Sequence, residues 1–271
     1  MITHNCGLCV THTLHDAYAF IRSLQHRGRE ATGIAAIGAR IDVIKWQGNV
    51  TRFDLGDLHE MFPERKFQTF MAHVRYATSG DKNKLLEEAH PHVVGGERIH
   101  NNNHLIITNC DAAIVHNGQV DLEGICASRY VPTTDCDTEK LLHFFLETNE
   151  FELARRVPGA YTMAIAQKGR KEVLAMRDRL GMHPGVLGRK DGKHGMASEN
   201  IAFNANGGET IEDLTPGYVY YLTPEGDYRK TKLVDSDKSS HCMFEWQYIM
   251  DKTSTSTDLH VPIHRRRLGE Q

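Results

Sequence analysis

Short apolar segments of strand length crowd the chain after residue 30, and they limit the possible folds more than any other feature of the sequence. Several are apolar throughout, which is typical of strands that are covered on both faces. The predicted strands are Ile34–Ile37, Ile41–Trp46, Thr69–Tyr76, Leu105–Thr108, Ala112–His116, Tyr161–Gln167, Glu172–Arg177, Val186–Leu187, Met196–Ser198, Val219–Leu222 and Thr231–Val234.

Helices are predicted on both sides of the early strands. Thr13 and Asp16 start an amphipathic segment in the manner of a capping box, so a helix is expected over 14–26. A second helix is expected over 137–147 and a shorter one near Phe151–Val157. Strands grouped between helical regions indicate an α+β fold in which sheets lie between helical layers.

Composition excludes several classes of function. The 271 residues carry 32 Lys and Arg against 35 Asp and Glu, a formal charge of −3, so no general affinity for nucleic acid or for an anionic membrane is expected. No secretory or membrane-spanning apolar run is present, and six scattered cysteines do not resemble a disulfide framework. We therefore expect a cytoplasmic protein with a small-molecule substrate.

Cys6 lies five residues behind Met1, where processing could make it the first residue of a mature chain. A thiol with an ordinary pKa of ~8.5 needs a base at neutral pH, and an α-amino group of pKa about 7.7–8.0 on the same residue could act as that base. Residues 1–5 would then be a propeptide. The alternative is that Cys6 packs as a small hydrophobic residue, the common fate of a lone cysteine.

An ordered series of polar clusters follows Cys6. They are His26-Arg27-Gly28, Thr32–Ala35, His73–Gly80, His116-Asn117-Gly118, Asp135–Glu139, Gly159-Ala160-Tyr161, Arg177–Pro184, Ala197-Ser198-Glu199, Cys242–Trp246 and Arg265–Gly269. This series resembles the class II glutamine amidotransferases, a branch of the N-terminal-nucleophile hydrolases. Within that family it looks most like the glutaminase domain of amidophosphoribosyltransferase.

The resemblance implies a four-layer α-β-β-α sandwich and a glutaminase unit of the purine-biosynthesis type. Cys6 would form a thioester with glutamine and release glutamate and ammonia, after self-cleavage removes residues 1–5. Residues 6–234 would form the glutaminase domain, and 235–271 a connector that normally leads into a phosphoribosyltransferase domain. That domain is absent from this sequence, so phosphoribosyl pyrophosphate should not bind to this chain alone.

The resemblance also implies an oxyanion hole. The side-chain amide of Asn117 and the backbone N–H of Gly118 would face the oxyanion that develops when Cys6 attacks. The alternative for this pair is structural, because Asn-Gly is the favoured sequence for a tight hairpin turn.

Further residues would bind the amino-acid end of glutamine. Arg75 would hold the α-carboxylate, a task suited to a planar guanidinium, and Asp137 would bind the α-ammonium, with Asp135 as the rival carboxylate. Alternatively, Arg75 forms a surface ion pair and Asp137 caps a helix.

The remaining predicted site residues surround that end of the pocket. Tyr76 and Thr78 would lie on a loop over glutamine, while Arg27 and Gly28 would line the Cys6 side. Gly28 is equally well explained as a helix C-cap. His90 departs from the family's usual Gln before Pro and receives no role.

No metal or cofactor is expected in this chain. Cys6 and Cys9 spell C-x-x-C, but a structural zinc site needs four ligands and no second such motif is present. Cys242 stands where one subgroup of the family places an iron–sulfur ligand, and such a cluster would require three more thiolates from the missing half.

L-Glutamine is thus the expected substrate, and a separate synthase or phosphoribosyltransferase subunit a candidate partner; a homo-oligomer stays open. Two alternatives remain. One is the glutaminase component of another class II system, such as glutamate synthase, which the Cys242–Trp246 segment disfavours. The other is a non-catalytic regulatory or docking subunit that keeps its N-terminal leader.

Overall fold

The structure is a computed structural model that describes residues 5–76, 84–123, 131–236, 238–256 and 259–270. Its main feature is one curled antiparallel sheet, and a separate two-stranded sheet is formed by β14 and β15, which have two residues each. The strands are β1 Gly7–Thr11, β2 Ala31–Gly38, β3 Ile41–Gln47, β4 Phe67–Arg75, β5 His92–His100, β6 His104–Val120, β7 Gly159–Gln167, β8 Val173–Arg177, β9 Val186–Lys190, β10 Lys193–Ala197, β11 Glu209–Asp213, β12 Tyr218–Leu222, β13 Tyr228–Lys232, β14 Thr255–Ser256 and β15 Leu259–His260.

The strand order within the sheet is β11-β9-β10-β1-β4-β2-β3-β6-β7-β8-β12-β13, and β5 also pairs with β6. The long strand β6 joins the two halves, since its first part pairs with β3 and its second part with β7. The sequence predicted two strands here, at Leu105–Thr108 and Ala112–His116. That was wrong, because Asn109 adopts a left-handed backbone (φ 59°) that absorbs the polar interruption without ending the strand.

Six α-helices lie in the described part of the chain: α1 Leu14–Ser23, α2 Leu55–Met61, α3 Asp137–Glu147, α4 Glu150–Arg156, α5 Ile201–Asn204 and α6 Val261–Gly269. The hydroxyl of Thr13 accepts the Asp16 N–H at 3.0 Å, so the predicted cap of α1 is confirmed, although the helix ends at Ser23 and a 3-10 turn over Gln25–Arg27 follows. None of these helices is long and apolar enough to cross a bilayer.

Three apolar clusters form the core. The first contains strand residues such as Leu8, Val43 and Val115 and lies between the inner faces of the sheet. The second packs α1, α2 and α5 against β1 to β4, and the third packs α3 and α4 against β6, β7, β8 and β12. Helices thus cover the sheet on two sides, which agrees with the predicted α+β class.

Candidate active site

A cavity of about 330 Å³ opens where the start of β1, the end of β4, the end of β6 and the start of α3 meet. We call it the Cys6 cavity. Five residues that the sequence singled out line it: Cys6, Arg75, Tyr76, Gly118 and Asp137. The rival carboxylate Asp135 lines it as well. Thr78 lies outside the described residues.

A larger cavity, about 630 Å³, lies elsewhere, among the loops that follow β7 and β12. It holds no nucleophilic thiol, and two of its three cations already have partners, since Lys168 donates to Asn109 and Arg170 to Glu150. The Cys6 cavity is therefore the better candidate for an active site.

Cys6 directly precedes β1 and is buried. Its Sγ accepts a weak hydrogen bond from the Tyr76 N–H at 3.5 Å, and its carbonyl accepts one from Arg27 Nε at 3.0 Å. Burial raises the pKa of the Cys6 thiol to about 11, against the opposing effects of the Tyr76 N–H, Arg75 and Arg27. Attack on a substrate at neutral pH therefore requires a base close to Sγ.

Arg75 ends β4, and its guanidinium donates to Glu88 at 2.8 Å. Both side chains are largely buried at the cavity wall, so this ion pair orients Arg75 within the cavity. Sequence reasoning missed Glu88. The signal it carried was weak, since it is one of two adjacent glutamates in a segment without a periodic pattern.

Asp137 opens α3 beside the end of β6. Its Oδ2 accepts the Val120 N–H at 3.0 Å, and its Oδ1 accepts the Thr138 hydroxyl at 3.3 Å. The residue at the cap position is Cys136, which makes no side-chain capping bond, so Asp137 is not the helix cap. Its carboxylate instead ties α3 to the cavity edge of β6.

Asn117 and Gly118 lie inside β6, paired with Thr162 and Tyr161 of β7. The hairpin-turn alternative for Asn-Gly is therefore wrong. Gly118 has φ +147°, and a Cβ there would lie 2.0 Å from the Ala160 carbonyl oxygen, so only glycine fits. The amide of Asn117 is fully buried, and neither its nitrogen nor its oxygen has a hydrogen-bond partner in the described part of the chain.

Such an orphaned buried amide is costly, and it requires an explanation beyond packing. Asn117 does not itself line the Cys6 cavity, but His116 and Gly118 on either side of it do, so a ligand or intermediate that reaches between them would supply one.

Arg27 and Gly28 lie behind Cys6 and do not line the cavity. Arg27 is completely buried and contacts the Cys6 carbonyl, Glu199 and Glu245. Gly28 has extended backbone, and a Cβ there would lie 2.4 Å from the backbone carbon of Arg75. Gly28 thus lets the turn after α1 approach the end of β4.

Four buried histidines adjoin the cavity: His73, His90, His92 and His116. The rings of His73 and His90 stack at 4.1 Å, and His90 and His116 both bond to the Thr138 hydroxyl, at 3.1 and 2.8 Å. Burial lowers the pKa of His73 to about 3 and the pKa values of His90 and His92 well below their usual range. The imidazoles of His73, His90 and His92 are therefore neutral at neutral pH.

Metal chemistry finds no support at the cysteines. Within the described ranges, no three His, Cys, Asp or Glu side chains are grouped to hold a metal ion. Cys9 is a fully buried core residue of β1, as expected, and Cys242 is a buried free thiol. An iron–sulfur cluster through Cys242 stays conditional on three thiolates from a transferase half.

The family model described as a glutamine amidotransferase domain matches residues 101–225. Amidophosphoribosyltransferase from Archaeoglobus fulgidus is 30% identical over 276 residues, which cover 94% of this chain and 54% of the relative. The Escherichia coli amidophosphoribosyltransferase is 29% identical over 290 residues, covering 96% and 53%. The chain thus spans about half the length of the curated relatives it matches.

Solved structures agree on the fold. The Bacillus subtilis glutamine phosphoribosylpyrophosphate amidotransferase, complexed with ADP and GMP, superposes with a TM-score of 0.76 at 23% identity, over 98% of this chain and 57% of that one. A structure described as the allosteric regulatory enzyme of purine biosynthesis gives 0.78 at 24% identity with the same coverage.

Proposed function

Because the chain belongs to the class II glutamine amidotransferases, we propose that it hydrolyses the side-chain amide of glutamine in the Cys6 cavity. The observation that carries the proposal is the meeting of a buried thiol, a guanidinium and a carboxylate, Cys6, Arg75 and Asp137, around one cavity of amino-acid size. These three groups match the amide carbon, α-carboxylate and α-ammonium of glutamine.

The reaction proceeds through a thioester. The Cys6 thiol attacks the δ-carbonyl carbon of glutamine and gives its proton to the α-amine of the same residue, which passes it to the departing nitrogen as ammonia leaves. Water then adds to the thioester carbonyl and forms a second tetrahedral intermediate. When its C–S bond breaks, glutamate is released and the thiol of Cys6 is restored. A processed N-terminus at Cys6 is required, because an amide nitrogen cannot accept this proton.

The oxyanion of both tetrahedral intermediates would lie against Asn117 and Gly118. A substrate oxygen that accepts from the Asn117 amide would pair a group that is otherwise buried without a partner. Gly118, whose backbone conformation a side chain would prevent, would donate its N–H to the same oxygen. Donors of this kind are worth about 3–4 kcal/mol each in related chemistry.

Substrate selection rests on charge at the two ends of the cavity. Arg75, oriented by Glu88, would bind the α-carboxylate, and Asp137, held by the Val120 N–H, would bind the α-ammonium. Tyr76 would cover the substrate together with Thr78. Arg27 would hold Cys6 through its bond to the Cys6 carbonyl, and Gly28 would let the turn after α1 approach the end of β4.

We further propose the finer assignments that the family suggests. The glutaminase would be of the purine-biosynthesis type and pass ammonia to a phosphoribosyltransferase partner. Residues 6–234 would form the glutaminase domain in a four-layer arrangement, a reading supported by the three core clusters, and 235–271 the connector.

Release of glutamate and ammonia from glutamine by the purified chain tests the proposal. Cys6→Ala should abolish release, whereas Cys242→Ser, which removes another buried thiol outside the cavity, should retain it. Equal activity of Cys6→Ala and the unsubstituted chain would refute the assignment. A folded chain that keeps residues 1–5 and never hydrolyses glutamine would favour the docking-subunit alternative.

A further inference from the structure

A buried ion cluster lies directly behind the nucleophile. Arg27 is fully buried, and four of its five N–H groups are used: Nε donates to the Cys6 carbonyl at 3.0 Å, Nη1 to Glu199 at 2.6 Å and to Glu245 at 3.0 Å, and Nη2 to Glu245 at 2.7 Å. Glu199 is buried as completely as Arg27, and Glu245 is 2% exposed. The Cys6 carbonyl is thus held by a guanidinium that two carboxylates fix in place.

Glu245 forms the two-pronged contact of this cluster. Its Oε1 and Oε2 each accept from a different nitrogen of Arg27, a geometry that fixes the plane of the guanidinium. Burial disfavours the charged carboxylate, but Arg27 and His183 outweigh it and lower the pKa of Glu245 to about 2. The pair is therefore fully ionised at neutral pH.

Glu245 comes from a distant part of the chain, 218 residues after Arg27. It begins a short π-helical segment, Glu245–Ile249. Arg265 of α6 donates to the carbonyls of Trp246 and Met250, so the last described helix holds this segment in place. Residues 242–256 are therefore more than a connector, because they supply the carboxylate of Glu245 to the ion cluster behind Cys6.

We propose that Glu245 is a positioning residue for the nucleophile, acting through Arg27 on the Cys6 carbonyl; this inference rests on the proposed glutaminase function. The cluster does not line the cavity, so Glu245 cannot bind glutamine itself. Its contribution is to the placement of Sγ relative to the substrate carbonyl, which affects the chemical step and not substrate affinity.

The chain offers a matched control for the loss of a buried ion pair. Glu150 is also buried, and its two oxygens accept from the two terminal nitrogens of Arg170 at 2.9 and 3.2 Å, but this pair lies at α4, away from Cys6. Glu245→Gln and Glu150→Gln therefore each remove one carboxylate charge from a two-pronged contact with an arginine, although Arg170 is 25% exposed and Glu150 also accepts the Tyr221 hydroxyl.

The experiment compares these two variants in the full chain by glutamine kinetics and by hydrogen–deuterium exchange. Glu245→Gln should lower kcat by roughly 10- to 100-fold with KM nearly unchanged, and should speed exchange in the segment around β1. Glu150→Gln should leave kcat and that exchange as in the unsubstituted chain. A cooperative thermal unfolding transition in each variant would establish that it is folded.

Wild-type exchange around β1 in Glu245→Gln, or an equal fall in kcat in Glu150→Gln, would overturn the inference. If the unsubstituted chain does not hydrolyse glutamine, the proposed function fails, and the exchange comparison still decides whether Glu245 holds Cys6. If Glu245→Gln does not fold, Glu245→Asp keeps the charge on a shorter arm. Wild-type kcat and exchange in that variant would equally contradict the role.

Discussion

Arg75 donates to Glu88 across 2.8 Å at the wall of the Cys6 cavity, with both side chains 11% exposed. The pair is placed where a ligand carboxylate would meet a guanidinium that is already oriented. Preorganisation of this kind lowers the entropic cost of binding.

Arg75→Ala should therefore lower kcat/KM for glutamine by roughly 10- to 100-fold, mainly through a higher KM. Arg75→Lys should raise KM less, because lysine keeps the positive charge but cannot make the two parallel hydrogen bonds of a guanidinium. Steady-state kinetics with glutamine measure both. Glu88→Gln should raise KM by a smaller factor, and Glu87→Gln, at the more exposed neighbour, should not. Unchanged KM in Arg75→Ala would remove Arg75 from the substrate site.

Asp137→Asn should weaken glutamine binding while the thiol of Cys6 stays reactive. The asparagine oxygen can still accept the Val120 N–H, so the link between α3 and β6 survives, while the negative charge and the acceptor for the Thr138 hydroxyl are lost. Glutamine KM and the rate of Cys6 alkylation by iodoacetamide, read by peptide mass spectrometry, separate the two effects. Loss of alkylation in the folded variant would mean that Asp137 acts on the thiol instead.

Asn117→Ala should cost activity without costing stability. Removal of an oxyanion donor lowers kcat by about 10²–10³, whereas removal of a buried amide without partners should leave the free energy of unfolding unchanged or raise it. Chemical denaturation and kcat are the two measurements. A large loss of stability would indicate that Asn117 has a structural bond in the protein, and unchanged kcat would end its catalytic assignment.

Acid should destabilise the protein through the buried histidines. Burial depresses the folded-state pKa values of His73, His90 and His92 below the ordinary value of 6.5. The contribution of the neutral imidazoles to the free energy of unfolding is therefore fully present above pH 6.5 and is lost as the pH falls below it. Each such group contributes a slope of about 1.4 kcal/mol per pH unit below 6.5.

His90→Gln should therefore flatten the pH dependence of the unfolding free energy between pH 6.5 and 4. The matched change His59→Gln, at an exposed helix position, should leave that slope as it is. Denaturation curves across this pH range test the expectation. An identical slope in His90→Gln would show that His90 is not buried in its neutral form.

The sequence predicted correctly those elements that are marked by helical periodicity or by a capping residue. The helix over 137–147 is found as α3 with the same bounds, and the Thr13 cap of α1 is present. Local pattern did not reveal that β6 continues through Asn117 and Gly118, since the same two residues favour a turn and only their pairing with β7 holds them extended. Helix α2 was missed although the equally short α4 was predicted, because Gly56 in its first turn weakens the helical signal.

The same division applies to the site. Cys6, Arg75, Gly118 and Asp137 lay in recognisable motifs, whereas Glu88 lines the cavity without one. Glu245 lay in a recognised cluster, but the sequence does not record which residue it pairs with. Glu245 and Arg27 are joined only by the folded chain. Arg27 was expected at the pocket, and it lies behind Cys6 because two buried carboxylates draw its guanidinium away from the cavity.

The central claim is that Cys6 acts with its own free α-amine, and the N-terminal mass of catalytically active protein tests it most directly. Glutamine hydrolysis should reside in chains that begin at Cys6, with residues 1–5 removed at the Asn5–Cys6 bond, and Cys6→Ala should keep the leader. Full activity in a homogeneous sample that still begins at Met1 would contradict the account.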